Sequence, residues 1–317
     1  MKEKLQYFPI TSYAIVMGLS GLTILLGKFY HLQWLPKYFY DSFLFFSFSL
    51  FLFITFMYGL KAIKHFDEVQ ADFRHRIRIN FFSAISISFL LLSIAFMTYW
   101  PFLSMILWWV GFLLHSLFMF HTISFWIQHN FEINNMNPAW FIPVVGNVLI
   151  PVAGVEYMPV AFNFFYFSVG FFFWVILFTI FLNRAIFHHQ LPQKFMPTLF
   201  ILIAPPAVGF IAYMRIAQSW DTFAAFLLFI GYFFVVLIFF LRKSFFNIRF
   251  FLSWWAFTFP LTAISIASVV AYQITDFKIF KFFAFILFGI ALIVIGFVSW
   301  ETILRIHKGE ICVNEDE

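Results

Sequence analysis

At 317 residues, 63% hydrophobic and only 10% charged, the chain is too apolar for a soluble domain, in which about a quarter of residues carry charge. A mean hydropathy of +0.94 places it in a lipid bilayer. The net charge of +5 is no nucleic-acid signature, because the basic residues sit at the ends of apolar segments, and the lone Cys312 excludes an intrachain disulfide.

A membrane-spanning helix needs about 20 apolar residues. In chain order the candidate segments are 10–31, 41–63, 79–98, 102–126, 139–156, 160–183, 196–216, 221–241, 250–273 and 279–303. They are too long for barrel strands and lack strict alternation, so all ten are expected to be helices. Little chain is left over, and residues 1–317 read as a single transmembrane domain with short tails and no cleavable signal. The 56 phenylalanines are expected mainly to stand in for leucine against lipid.

Lys and Arg fall fourteen on one side of this arrangement and five on the other. The richer side, which carries both termini, is therefore expected to be cytoplasmic. The opposite connections are tight: Tyr99-Trp100-Pro101, Glu156 to Pro159, and Ser219-Trp220. Turns this short join antiparallel neighbours, so the chain reads as five helical hairpins. Their similar spacing suggests repetition about an axis.

Six prolines lie inside apolar segments: Pro143 and Pro151 in the fifth, Pro197, Pro205 and Pro206 in the seventh, and Pro260 in the ninth. The even segments have none. Proline removes a backbone donor and kinks a helix, and the freed carbonyls must be shielded by protein or line a cavity. Kinks are thus expected at Pro143, Pro151, Pro205 and Pro260, with odd helices lining a central pore and even helices outside. Gly18, Gly21 and Gly27 permit close packing or bending of the first segment. The third has neither device, and nothing local predicts how it would bend.

The odd segments hold almost no ionisable group in their central spans, although such a group would mark a proton relay or coupling site. A pathway there is expected to be lined by small polar residues, aromatic rings and backbone. Candidates are Ser12, Thr23, Ser83, Ser86, Asn147, Thr198, Thr258, Thr262 and Ser265. The competing reading is that each hydroxyl bonds back to its own helix. Phe259, directly before Pro260, could project into the space a kink opens, or simply pack in the core. His115 and His121, six apart on an even helix, do not share a face, so a hydrogen bond or subunit contact fits better than a metal. The polar stretch 65–78 offers either a solvated connector anchored at headgroups or a basic vestibule made by Arg74, Arg76 and Arg78. No Walker loop, nucleophile elbow, CxxC or spaced histidine box appears, which argues against an enzyme and implies no cofactor or metal.

Several landmarks occur in a familiar order: Phe8-Pro9 with Gly18-Leu19; Arg78-Ile79-Asn80-Phe81-Phe82; Asn137-Pro138 with Val144-Val145-Gly146-Asn147; Leu191-Pro192 with Ile203-Ala204-Pro205-Pro206; and Trp254-Trp255-Ala256-Phe257-Thr258-Phe259-Pro260. Over about residues 7–308 the chain resembles the TehA/SLAC1 family, the tellurite-resistance and dicarboxylate transporter group that includes the plant slow anion channels. The resemblance implies ten helices in five hairpins with quasi-fivefold arrangement, odd inside and even outside, as a homotrimer with one pore per subunit. It implies that Phe259 occludes the pore. It also implies a second pore-facing aromatic at Phe81 or Phe82, a choice the sequence leaves open. Further pore-lining candidates are Pro205 and Pro206. The first helix lacks the proline of some bacterial relatives. The long regulatory tails of the plant channels are absent, so control through them is not expected.

The function expected is an anion channel for small monovalent anions such as nitrate and halides, in the plasma or bacterial inner membrane. Its partners would be small inorganic anions and the lipid bilayer. The alternative is a secondary transporter of C4-dicarboxylates, sulfite or tellurite-related oxyanions.

Overall fold

A computed structural model describes residues 2–246 and 248–313, which contain helices and no strand. Nine helices among them are long and apolar enough to cross a membrane. These are α1 (Ile10–His31), α2 (Lys37–Lys64), α3 (Arg78–Phe96), α4 (Pro101–Gln128), α6 (Val160–Phe187), α7 (Gln193–Ala217), α8 (Thr222–Phe240), α9 (Leu252–Thr275) and α10 (Lys278–His307). The tenth expected span is present as the shorter apolar segment α5 (Pro138–Gly154), every residue of which is buried.

Burial sorts the helices into two classes. In the most apolar stretches of α1, α3, α7 and α9, 72–83% of residues are buried; in the five even helices the share is 28–33%. The exposed faces of the even helices are rich in large apolar side chains such as Phe53, Phe120, Phe172, Phe233 and Phe282, as a lipid-facing surface requires. Contacts close the inner class into a ring: α1 packs on α3, α3 on α5, α5 on α7, α7 on α9, and α9 on α1. Each even helix sits in the groove between its own hairpin partner and the next odd helix, so α2 touches α1 and α3, and α10 touches α9 and α1.

The two classes also differ in winding. The even helices are continuous α-helices. Every odd one begins with a 3-10 stretch: Ile10–Ser12, Arg78–Phe82, Pro138–Trp140, Gln193–Ile203 and Leu252–Phe257. In α5 a second stretch, Gly146–Leu149, interrupts the middle. Pro143, Pro151, Pro205, Pro206 and Pro260 all lie within the first three residues of an α-helical stretch that follows a 3-10 stretch. At such a start the missing N–H would have no helical partner anyway. The prolines therefore mark changes of helix type, and α3 makes the same change at Ser83 without one.

Buried hydroxyls and indoles tie the rings together. Thr23 bonds Ser47 across α1 and α2 at 2.9 Å, Tyr232 bonds Ser268 across α8 and α9 at 2.8 Å, and the Trp255 indole donates to Thr302 across α9 and α10 at 2.9 Å. The Trp108 indole on α4 donates to the Ile150 carbonyl at 3.0 Å, which satisfies a group beside the break in α5.

Candidate functional site

Two cavities lie along the inner ring, each lined by side chains from all five odd helices. The first, about 80 Å³, is on the side of the odd helices' N-terminal ends and is walled by apolar side chains such as Met17, Phe81, Phe141, Ile201 and Trp255, with Gly146. The second, about 230 Å³, is on the side of their C-terminal ends and reaches Lys28, Arg215 and Gln273. Leu149 of α5, Val208 of α7 and Phe259 of α9 line both cavities, so these three residues form the partition between them. Phe259 is 8% exposed.

The position of Phe259 follows from the close approach of α1 to α9. A Cβ on Gly21 would meet the Thr262 hydroxyl and come within 3.1 Å of Phe259 Cδ2, and one on Gly18 would collide with Thr258. Two glycines three apart thus let α9 lie against α1, with the Phe259 ring resting on the Gly21 backbone. Pro260 lines the first cavity beside it, as does Pro205.

Phe81 and Phe82 separate cleanly. Phe81 lines the first cavity and also a crevice that contains Arg78 and Lys194. Phe82 points outward into an aromatic cluster with Tyr58, Phe73 and Phe118.

The polar candidates do not line either cavity. Ser86 donates to the Ser83 carbonyl at 2.8 Å and contacts His115 Nδ1 on α4 at 2.9 Å. The Asn147 amide donates to Val144 O at 2.7 Å and faces Met119 of α4. Thr262 and Thr258 bond back to Phe259 O and Trp255 O, Thr198 to Phe195 O, and Ser265 reaches the Ala284 carbonyl of α10. Pro206 is buried away from the cavities, as are Pro143 and Pro151. The expectation of a hydroxyl-lined wall is corrected accordingly. A hydroxyl at membrane depth gains more from a carbonyl or a neighbouring helix than from an apolar cavity wall, so these groups turn outward or backward.

His115 is wholly buried, and its ring fills the space that a Gly146 side chain would take. His121 stacks on Phe73 at 4.4 Å. Among the described residues no group of three His, Cys, Asp or Glu is placed to hold a metal.

The three connector arginines part company. Arg74 and Arg76 border a groove against the end of α4 with His121 and Phe125, and the Arg76 guanidinium sits 5.9 Å from the Phe131 ring. Arg78 alone is next to Phe81 at the first cavity's end of the ring. Its Nη1 donates to Asp72 Oδ1 at 2.8 Å, while Asp72 Oδ2 receives Lys61 Nζ at 2.7 Å. Lys61 also donates to the Phe8 carbonyl at 3.0 Å.

Sequence reasoning missed Leu149 and Val208, because an apolar residue at a partition carries no signal that distinguishes it from core. It also treated Lys28 and Arg215 only as membrane-end charges. Their position in the last turn of odd helices was the available signal, since those helices surround the axis.

Residues 7–303 match the model of a family, SLAC1, described as voltage-dependent anion channel. An uncharacterized transporter of Methanocaldococcus jannaschii is 27% identical over 98% of this chain and 98% of its own length. The tellurite resistance protein TehA homolog of Haemophilus influenzae is 25% identical over 96% of this chain and 93% of its own. The S-type anion channel SLAH2 of Arabidopsis thaliana is 29% identical over 83% of this chain, which spans about half (52%) of the plant protein. One of these relatives is named a transporter, one an anion channel and one a tellurite resistance protein. The match across nearly the whole chain, on a fold of five buried odd helices ringed by five exposed even ones, makes this protein a member of the SLAC1 anion channel family.

Proposed function

We propose that the protein is a channel for small monovalent anions, nitrate and halides among them, that runs along the axis of the odd helices and is gated by Phe259. The observation that carries this reading is the partition: one aromatic ring, with Leu149 and Val208, separates two cavities that all five odd helices line. An apolar constriction of this kind blocks ions by excluding water. The partition and the first cavity carry no charge, so an ion crossing them must shed water at its own cost. That favours weakly hydrated anions such as nitrate and iodide over fluoride. Phe81, at the far end of the first cavity, is the second pore-facing aromatic in this reading.

The chain's two ends share one face: Gln6, Tyr7 and Val313 border the same crevice. The excess of Lys and Arg on that face supports a cytoplasmic location for both termini, in a plasma or bacterial inner membrane. A homotrimer is proposed on the family resemblance, to be checked by the mass of the purified particle.

The test is Phe259→Ala, recorded in planar bilayers with anion substitution. Basal current should rise, and permeability should follow the order iodide or nitrate, then chloride, then fluoride. Unchanged current in variant protein that elutes and melts like the parent would refute the gate. Flux that saturates and follows the pH gradient would instead identify a secondary transporter of C4-dicarboxylates, sulfite or tellurite-related oxyanions.

A further inference from the structure

We infer that the second cavity holds a binding site for a small monovalent anion, formed by Lys28 of α1, Arg215 of α7 and Gln273 of α9. The three residues come from different odd helices and line one cavity of about 230 Å³. Lys28 is half-buried and has no hydrogen bond or ion-pair partner among the described residues. Arg215 is only partly neutralised: its Nη2 donates to Glu156 Oε1 at 2.6 Å and its Nε to the Val152 carbonyl at 2.9 Å. Glu156 is 53% exposed, so it faces water as much as the cavity.

Two cations against one carboxylate leave the cavity with an excess positive charge. An ammonium at the cavity wall without a counter-charge leaves an uncompensated field there. A mobile anion offsets that field and meets the Lys28 N–H donors and the Gln273 carboxamide. The cavity has room for such an ion with some of its water. The opposite cavity offers nothing comparable, since its wall is apolar.

The consequence is a polar station on one side of Phe259 and a dry one on the other. An anion arriving from the C-terminal ends of the odd helices is concentrated before it meets the partition. The inference rests on the channel reading for its consequence in transport, but the site itself can be tested without it.

The experiment has two readouts. First, current is recorded in the Phe259→Ala background while nitrate is varied only on the side that Lys28 faces. Lys28→Gln should raise the half-saturating nitrate concentration about three- to fivefold, the effect of one unit charge at roughly 5 Å in a high-dielectric mouth. Lys28→Arg should restore it. Second, the melting temperature of purified parent protein is measured in nitrate and in gluconate at equal ionic strength. Nitrate should stabilise the parent and not Lys28→Gln.

If Phe259→Ala conducts but Lys28→Gln leaves both half-saturation and nitrate stabilisation unchanged, the site is refuted and the channel stands. If nothing conducts while nitrate stabilises only proteins that keep a cation at position 28, the site stands and the channel reading fails. If nothing conducts and nitrate gives no selective stabilisation, both fall.

Discussion

Asp72 is the residue whose replacement should most damage the fold without touching either cavity. It lies on the short helix Phe66–Arg74, and its two oxygens receive Lys61 from the last turn of α2 and Arg78 from the first turn of α3, at 2.7 and 2.8 Å. Lys61 in turn holds the Phe8 carbonyl just before α1. One carboxylate thus pins three helices and the approach to a fourth. The side chains of Lys61 and Asp72 are only 4% and 5% exposed, so Asp72→Asn strands a buried ammonium, a change that costs about 3–5 kcal/mol in comparable pairs. Arg78 is 29% exposed, and its share is screened to about 1 kcal/mol or less. Asn retains the shape and one acceptor, which places the expected loss near the lower figure, about 3 kcal/mol. Melting of detergent-solubilised protein, followed by tryptophan fluorescence, should fall by roughly 4–5 °C. The double variant Asp72→Asn/Lys61→Met removes the stranded charge and should recover part of the loss. An unchanged melting temperature for Asp72→Asn, or a double variant worse than the sum of the singles, would refute this account of the network.

Phe81→Ala should alter anion flux because the ring borders the first cavity, whereas Phe82→Ala should mainly lower the melting temperature by opening the aromatic cluster with Phe73 and Phe118; reversal of the two outcomes would show the faces to be misassigned. Gly21→Ala should destabilise by about 1–3 kcal/mol and disturb the Phe259 current, since its methyl group collides with Thr262 and presses on the ring. Gly289→Ala, with nothing within 4 Å of the added carbon, is the matched control and should leave the current unchanged and the melting temperature unchanged or slightly raised. Trp108→Phe leaves the Ile150 carbonyl without its donor and should cost about 1–3 kcal/mol in denaturation assays, with no change in anion selectivity.

The two helix classes were legible in the sequence because proline chemistry and charge placement act locally. Pro143, Pro205 and Pro260 announce altered helix on their own, and the glycines of α1 announce a close neighbour. The inner position of α3 was not legible this way, since its 3-10 start at Arg78–Phe82 has no proline to signal it. Phe259 stood out only through its motif, because a ring at a partition and a ring in a core have the same local pattern. The choice between Phe81 and Phe82 depended on which side of one turn faced the axis, and that is decided by the packing of α3 against α1 and α5. The hydroxyls misled for a physical reason. Their number on the odd helices was correct, but their direction is set by the nearest carbonyl or partner helix, as Ser265 and Thr262 show.

The winding of α5 explains how so few residues can cross. Seventeen residues of plain α-helix advance only about 25 Å, short of a hydrocarbon layer about 30 Å deep. Two stretches of α5, of 3 and 4 residues, are wound as 3-10 helix, which climbs about 2.0 Å per residue in place of 1.5 Å. The gain is about 3.5 Å, which brings the segment to about 29 Å and nearly matches the slab. Tight winding therefore serves as a length adjustment, and rewinding α5 as uniform α-helix would draw one of its ends below the membrane surface.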